Sequence, residues 1–484
     1  MRTRKPAYIV LLALTAGFLC LFNSCIDEEM VGEFPPDTFI SIEKIDLTGE
    51  DRLNSSVRLS WYGTDKDGYV VGYEFSIDHD NWFQTVKRDS VFKFSIEAGQ
   101  DTTDIEFFVR SIDNEGNVDA SPAFLKVPLK NSPPLVEFET DSYPKDTTFG
   151  VLTFRWTYSD PDGDNTVTNA YLRVNDGNWY EVDRSQAMIS LRSDNPQQAG
   201  STDADVFYQT VLNALPDRID GWQNDGENTL YLKVVDIAGT ESTIDTAAVL
   251  YNKKQNSDLL LINGQPSNVN KAYRDIVNAV YSQGFDAIDF ADGNGKNQPV
   301  FWNPTFSLLT EMYDKLMFNT DQSLFANPLT GQSAILLEFA APVMQNFTDG
   351  GGKSFVTTSF PPGFDPVDIR GAFPVDSLSQ TSGQAVIEPD SSIYSDQAGF
   401  PSLSPTTLLL GADPFVPTID ATPIYRAELK AFGAWKGTNI VGVTREENGN
   451  TKQVFFGVEL YRFSKDPSAL NSLFDKIFNE EFDW

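Results

Sequence analysis

The chain has 484 residues, 69 of them acidic against 36 basic, and a formal net charge of −33 at pH 7. Phosphate backbones need cations to displace their counterions, so this balance excludes nucleic acid as a partner, and it equally excludes a polybasic hold on anionic lipid. At 40% hydrophobic and 13% aromatic the sequence can bury several cores and is no disordered stalk.

Arg2, Arg4 and Lys5 precede an apolar run from Ala7 to Phe22, which breaks at Asn23-Ser24-Cys25 and is followed by the acidic Asp27-Glu28-Glu29. Charged, then apolar, then small is the order of a secretory signal, and the run is short for a bilayer span. Both cysteines, Cys20 and Cys25, lie here. Cys20 sits in the stretch that cleavage removes, so no structural disulfide is expected. Leu21 to Cys25 resembles a bacterial lipoprotein signal, and the acidic cluster resembles the export tag of Bacteroidetes surface lipoproteins. The resemblance implies a signal peptide over 1–24, lipid attachment at Cys25 and an acidic tether over 25–36. The implied address is the cell envelope, as an outer-membrane lipoprotein, with surface exposure as one outcome. Acyl chains on one cysteine hold a membrane by roughly 0.8 kcal/mol per buried CH₂.

An internal repeat follows. Trp61 precedes Asp65-Lys66-Asp67-Gly68 and Trp156 precedes Asp160-Pro161-Asp162-Gly163 at the same spacing; an alternating stretch and a second tryptophan, Trp82 or Trp179, close each unit. Further on, Phe107 to Gly116 matches Leu230 to Gly239. Short alternating stretches between Gly, Asp, Asn and Pro turns are the sequence form of a β-sandwich. Both units resemble fibronectin type III and related immunoglobulin-like domains, spanning 37–128 and 133–251. Pro133-Pro134 between them limits bending. The second unit carries an insertion, in which Asp203 to Leu215 reads as an amphipathic helix ended by Pro216 and placed to cap an edge or join an interface.

From Asp258 the pattern changes. Leu259 to Ile262 is continuously apolar, like a strand buried on both faces. Tyr273, Ile276, Val277, Val280 and Tyr281 lie at helical spacing before Gly284, and Phe285 to Phe290 is again strand-like. A further strand over Lys315 to Thr320, a helix over Ser333 to Phe347 and a strand over Ser354 to Phe360 precede a Pro/Gly/Ser-rich excursion over about 361–417. Strands over Ile424 to Leu429, Asn439 to Thr444 and Gln453 to Val458, then a helix over Ser468 to Glu480, complete residues 256–484. The chain is thus expected to be multidomain, two all-β sandwiches followed by an α/β domain with a mostly parallel sheet. Leu259 to Gly264, Phe347 to Val356 and Val454 to Tyr461 resemble the flavodoxin-like layout of class I glutamine amidotransferase-like domains. That family uses cysteine and histidine, and this region has neither, which implies a non-catalytic copy.

The one histidine, His79, lies in the first sandwich, so His-dependent triads and zinc sites are not available to residues 256–484. Carboxylates remain, because glycoside hydrolysis needs only a pair of them. Asp286, Asp289 and Asp292, near the end of a predicted strand, are the candidates. Gly350-Gly351-Gly352-Lys353-Ser354 lies before a strand, where a phosphate loop would lie before a helix. Asp160, Asp162 and Asp164 alternate as calcium ligands do, but Asn165 and Tyr171 stand where an EF-hand needs glycine and glutamate, so an Asp-Gly turn is expected. Trp61 and Trp156 read as core; Trp82 and Trp179, beside turns, are the candidate ligand contacts. No cofactor and no metal is expected. The expected function is binding or scaffolding for an envelope protein or glycan, with a carboxylate-dependent hydrolase of extracellular carbohydrate, its cleft walled by 361–417, as the alternative.

Overall fold

The computed structural model describes residues 32–41, 53–54, 56–94, 96–291, 299–327, 329–379, 383–410 and 412–484. Cys25 and Asp292 lie outside them. The chain divides into two compact units, residues 1–132 and 133–484.

In the first unit, Ser56–Thr64 pairs antiparallel with Asp37–Ser41 on one side and Asp89–Lys93 on the other. A second sheet runs Leu53–Asn54, Ala123–Lys130, Thr102–Asp113, Val70–Ser76, Phe83–Thr85. Side chains alternate across a strand, so every second residue enters the space between the sheets. Leu59, Phe107, Val109 and Val127 meet there around Trp61, which is 2% exposed. The tryptophan is core, as its repeated position predicts.

The second unit begins with a related sandwich. Val151–Ser159 pairs with Leu135–Phe138 and Met188–Ser193, and Trp156 is buried as Trp61 is. The facing sheet runs Tyr180–Val182, Val167–Val174, Leu230–Asp236, Asp245–Thr246. Within the insertion the structure corrects the sequence reading. Where a helix is expected over Asp203 to Leu215, the chain forms the strand Gly200–Tyr208, which with Ile219–Asn224 widens the first sheet to five strands. Asp203, Ala204, Asp205 and Val206 alternate outward and inward, and Met188–Ser193 offers the unpaired edge that their backbone groups complete, so pairing prevails over the helical spacing.

Residues beyond Gln255 build an eight-stranded sheet, whose strands are numbered here in chain order: β1 Leu259–Asn263, β2 Asp286–Asp289, β3 Lys315–Asn319, β4 Lys353–Thr357, β5 Ile393–Tyr394, β6 Ala421–Ala427, β7 Ile440–Glu447 and β8 Asn450–Phe456. The order is β2-β1-β3-β4-β8-β7-β6-β5, parallel from β2 to β8 and antiparallel beyond. All of β1 is buried because it is covered twice. Leu260 and Ile262 join the cluster of helix α2 (Leu336–Asp349), while Leu259 and Leu261 join that of α1 (Ser267–Val280) and α3 (Pro467–Asp475). Gly350 to Gly352 make the helix-to-strand turn between α2 and β4. The 361–417 excursion is threaded by short strands, among them Gly383–Ile387, Leu409–Leu410 and Phe415–Pro417.

The sandwich and this sheet share a core. Val151 and Phe207 pack with Leu308, Leu309 and Val343, and Leu212 adds to the same cluster. Thr305 donates to Thr153 at 2.7 Å, Arg192 pairs with Glu311 at 2.7 Å, and Gln255 Nε2 donates to the Met312 carbonyl at 2.6 Å. The inserted strand, paired on both sides within its sheet, therefore also serves as an interface.

Candidate functional site

The parallel strands end in a row of buried polar residues. Asn263, Asn319 and Thr357, all 0% exposed, are partners in register across β1, β3 and β4. Buried polar groups normally need partners, and each of the three side chains has at least one, although the Asn319 Oδ1 is buried without one among the described residues. Asn319 Nδ2 donates to Asn263, and Thr357 Oγ1 donates to the Val458 carbonyl at 2.9 Å and accepts from the Leu460 N–H at 3.0 Å. The buried Tyr273 hydroxyl meets Thr357 Oγ1 at 3.2 Å and accepts from the Tyr461 N–H at 3.3 Å. Thr357 and Tyr273 thus fix the turn after β8, and with it Glu459 and Arg462.

Over the ends of β3, β4 and β8 lies a small open cleft of about 120 Å³. Ser359, Glu459, Arg462 and Gln322 line it, together with Ile387, Leu409, Leu410, Ala412 and Asp413 from the excursion. Glu459 is 8% exposed, and both of its oxygens are engaged: one accepts from Ser359 Oγ at 2.7 Å, the other from Arg462 Nε at 2.8 Å. Asp413 differs. Burial pushes its carboxyl from the ordinary 3.8 up to about 6, opposed only by the Phe360 backbone N–H. Glycine at 457 lets the excursion close on β8, since a Cβ there would meet the Phe415 ring at 2.8 Å.

The structure does not bring the predicted aspartates together. Asp286 opens β2 and accepts from the N–H groups of Asn256 at 2.7 Å and Ser257 at 3.2 Å and from the Tyr313 hydroxyl at 3.2 Å. Asp289 closes β2, accepting from Asn263 Nδ2 at 2.7 Å and pairing with Arg274. Three residues along a strand place them about 10 Å apart on opposite faces. Both brace the chain. Asp289→Asn is expected to cost about 1.5–3 kcal/mol in urea unfolding, the worth of a charged hydrogen bond, and to leave ligand binding intact.

Trp82 and Trp179 are half-buried, and each already carries a cation. The Arg110 guanidinium lies 3.9 Å from the Trp82 ring centre, while Arg173 and Lys233 lie 4.9 Å from that of Trp179. One face of the Trp82 ring is thereby occupied without any ligand. Asp160 is buried and holds the Asp-Gly turn, accepting from the Asp162 N–H at 2.7 Å and from Thr166 Oγ1 at 2.8 Å. In the first unit Asp65, Asp113 and Glu115 each bring a carboxylate oxygen within 4.8 Å of the others, a grouping the sequence reading did not single out. Asp113 there is engaged by the N–H groups of Glu115 and Asn117.

No protein-family model matches the chain, and no curated protein matches it. Among solved structures it is similar to the fibronectin(III)-like modules of Clostridium thermocellum CbhA, at 15% identity and a TM-score of 0.18 over 44% of this chain and 94% of that one. A two-domain fibronectin type III segment of chicken tenascin is similar at 12% identity and 0.21, over 45% and 99%. The PKD1 domain of the Vibrio cholerae metalloprotease PrtV is similar at 16% and 0.14, over 19% and 98%. Scores this low carry no argument about what the chain does.

Proposed function

We propose that the chain is an exported binding protein, tethered by lipid at Cys25, that receives its ligand in the cleft over β3, β4 and β8. The order of the parallel strands supports a flavodoxin-like α/β reading of the C-terminal region, since in chain order they run 2-1-3-4-5, and such sheets take ligands beyond their strand ends. The sandwiches read as fibronectin type III or immunoglobulin-like spacers, in keeping with their two facing sheets. The observation that carries the proposal is the bonding of Glu459. A carboxylate fixed on both oxygens by Ser359 and Arg462 presents a rigid polar lining, which suits recognition.

Two tests apply. Metabolic palmitate labelling is expected on the wild-type chain and absent from Cys25→Ser; label that survives the substitution overturns the tether. Titration with a panel of monosaccharides, short oligosaccharides and amino acids, followed by calorimetry, is expected to find binding that Ala412→Trp removes by filling the cleft. No binding by the whole panel, or binding untouched by Ala412→Trp, overturns the cleft.

A second reading has one observation in its favour. Asp413 and Glu459 line the same cleft, and an aspartate pushed up to about 6 is suited to give a proton near neutral pH. Carbohydrate hydrolysis would then run on these two residues and not on Asp286, Asp289 or Asp292. Release of nitrophenol from aryl glycosides at pH 5, lost in Asp413→Asn, would establish it over simple binding.

A further inference from the structure

We propose that the cleft is a site for a small molecule carrying a protonated amine, with Asp413 as its counter-ion. The inference rests on the cleft reading above and adds the chemical class of the ligand. Among the described residues three ionisable side chains line the cleft: Asp413, Glu459 and Arg462. Two of them satisfy each other, since Glu459 accepts from Arg462 Nε at 2.8 Å and gives its other oxygen to Ser359. Asp413 is left over. It lines the same cleft from the excursion, mostly buried, and among the described residues only the Phe360 backbone N–H supports its charge.

A carboxylate withdrawn from water without a cation is costly, and an ammonium group entering the cleft supplies what is missing. With Arg462 held by Glu459, the lining carries one uncompensated negative charge, which disfavours a carboxylate or phosphate ligand at the same place. The Ser359 hydroxyl and Gln322 are at hand for neutral polar groups on the ligand, and Leu409 and Ile387, both buried, add apolar lining. The negative charge of the whole chain favours the approach of a cation.

The test is calorimetric titration of the full mature chain at pH 7 with D-glucosamine and with L-lysine amide, and with N-acetyl-D-glucosamine as the uncharged control. Whichever amine binds tells a sugar source from a peptide-like one. Binding of at least one amine is expected, weakened about tenfold or more in Asp413→Asn and blocked in Ala412→Trp, with the acetylated control much weaker. The folding of Asp413→Asn is checked by its urea midpoint at pH 7, which is expected to equal or exceed the wild type. An acetylated sugar that binds as well as the amine, equally in wild type and Asp413→Asn but not in Ala412→Trp, overturns the ammonium site and leaves the binding cleft standing. Amine binding that neither substitution alters overturns both, and so does the absence of binding by all three probes.

Discussion

Asp413→Asn is expected to make the protein more stable at neutral pH, by up to about 3 kcal/mol, with most of that gain gone by pH 4. The aspartate carboxyl is held near 6 in the folded chain and returns to the ordinary 3.8 when the chain unfolds. Well below 3.8 the group is protonated in both states and contributes no difference. Between about 4 and 6 the unfolded chain loses its proton first, so the folded state binds more protons and stability falls as pH rises. Above 6 both are ionised, and the folded state bears the full cost of a withdrawn charge. Asparagine keeps the oxygen that faces the Phe360 N–H and removes the charge. Urea unfolding of both proteins at pH 4, 5, 6 and 7.5 should therefore show midpoints that diverge with rising pH. A constant difference across that range would mean that Asp413 is not a strained carboxyl. A residue that weakens the fold at its working pH is best explained by what it does there, and the amine titration asks the same question from the other side.

Reading such a site from the sequence is hard for a physical reason. Asp413 and Glu459 belong to different segments, and neither stands in a motif; what singles them out is one cleft and unequal pairing, which only folding creates. Asp286 and Asp289, close in sequence, attracted notice instead, and the strand between them separates their side chains. The strand ends did carry a signal. Leu259 to Ile262 breaks at Asn263 and Leu316 to Phe318 breaks at Asn319, and those breaks mark the edge on which the cleft stands. The repeated tryptophans were legible because a sandwich core needs a large apolar residue at a fixed place in each copy, and Trp61 and Trp156 fill it. The segment Asp203 to Leu215 was ambiguous because Val206, Val211, Leu212 and Leu215 suit a helix while Asp203 to Val206 suits a strand. Only the free edge of Met188–Ser193, distant from any local pattern, resolves it.

That strand sets the second large effect. Phe207→Ala is expected to destabilise the second unit by about 3–5 kcal/mol, the usual cost of emptying a fully buried phenylalanine site. Phe207 is 0% exposed, yet it belongs to the core of Leu308, Leu309 and Val343 and not to that of the sandwich whose strand carries it. A cavity there strips contacts from both sides at once. The bonds that accompany it, Thr305 to Thr153 and Arg192 to Glu311, are too exposed or too few to hold the halves together alone. Hydrogen exchange should therefore show protection falling in parallel in peptides from Met188–Ser193 and from Leu336–Asp349, although Phe207 lies in neither. If only the sandwich peptides lose protection, the two halves fold independently and the shared core is an incidental contact. If both fall together, the cleft over β3, β4 and β8 inherits its rigidity partly from the sandwich, and Phe207→Ala will also weaken ligand binding without touching any residue that lines the cleft.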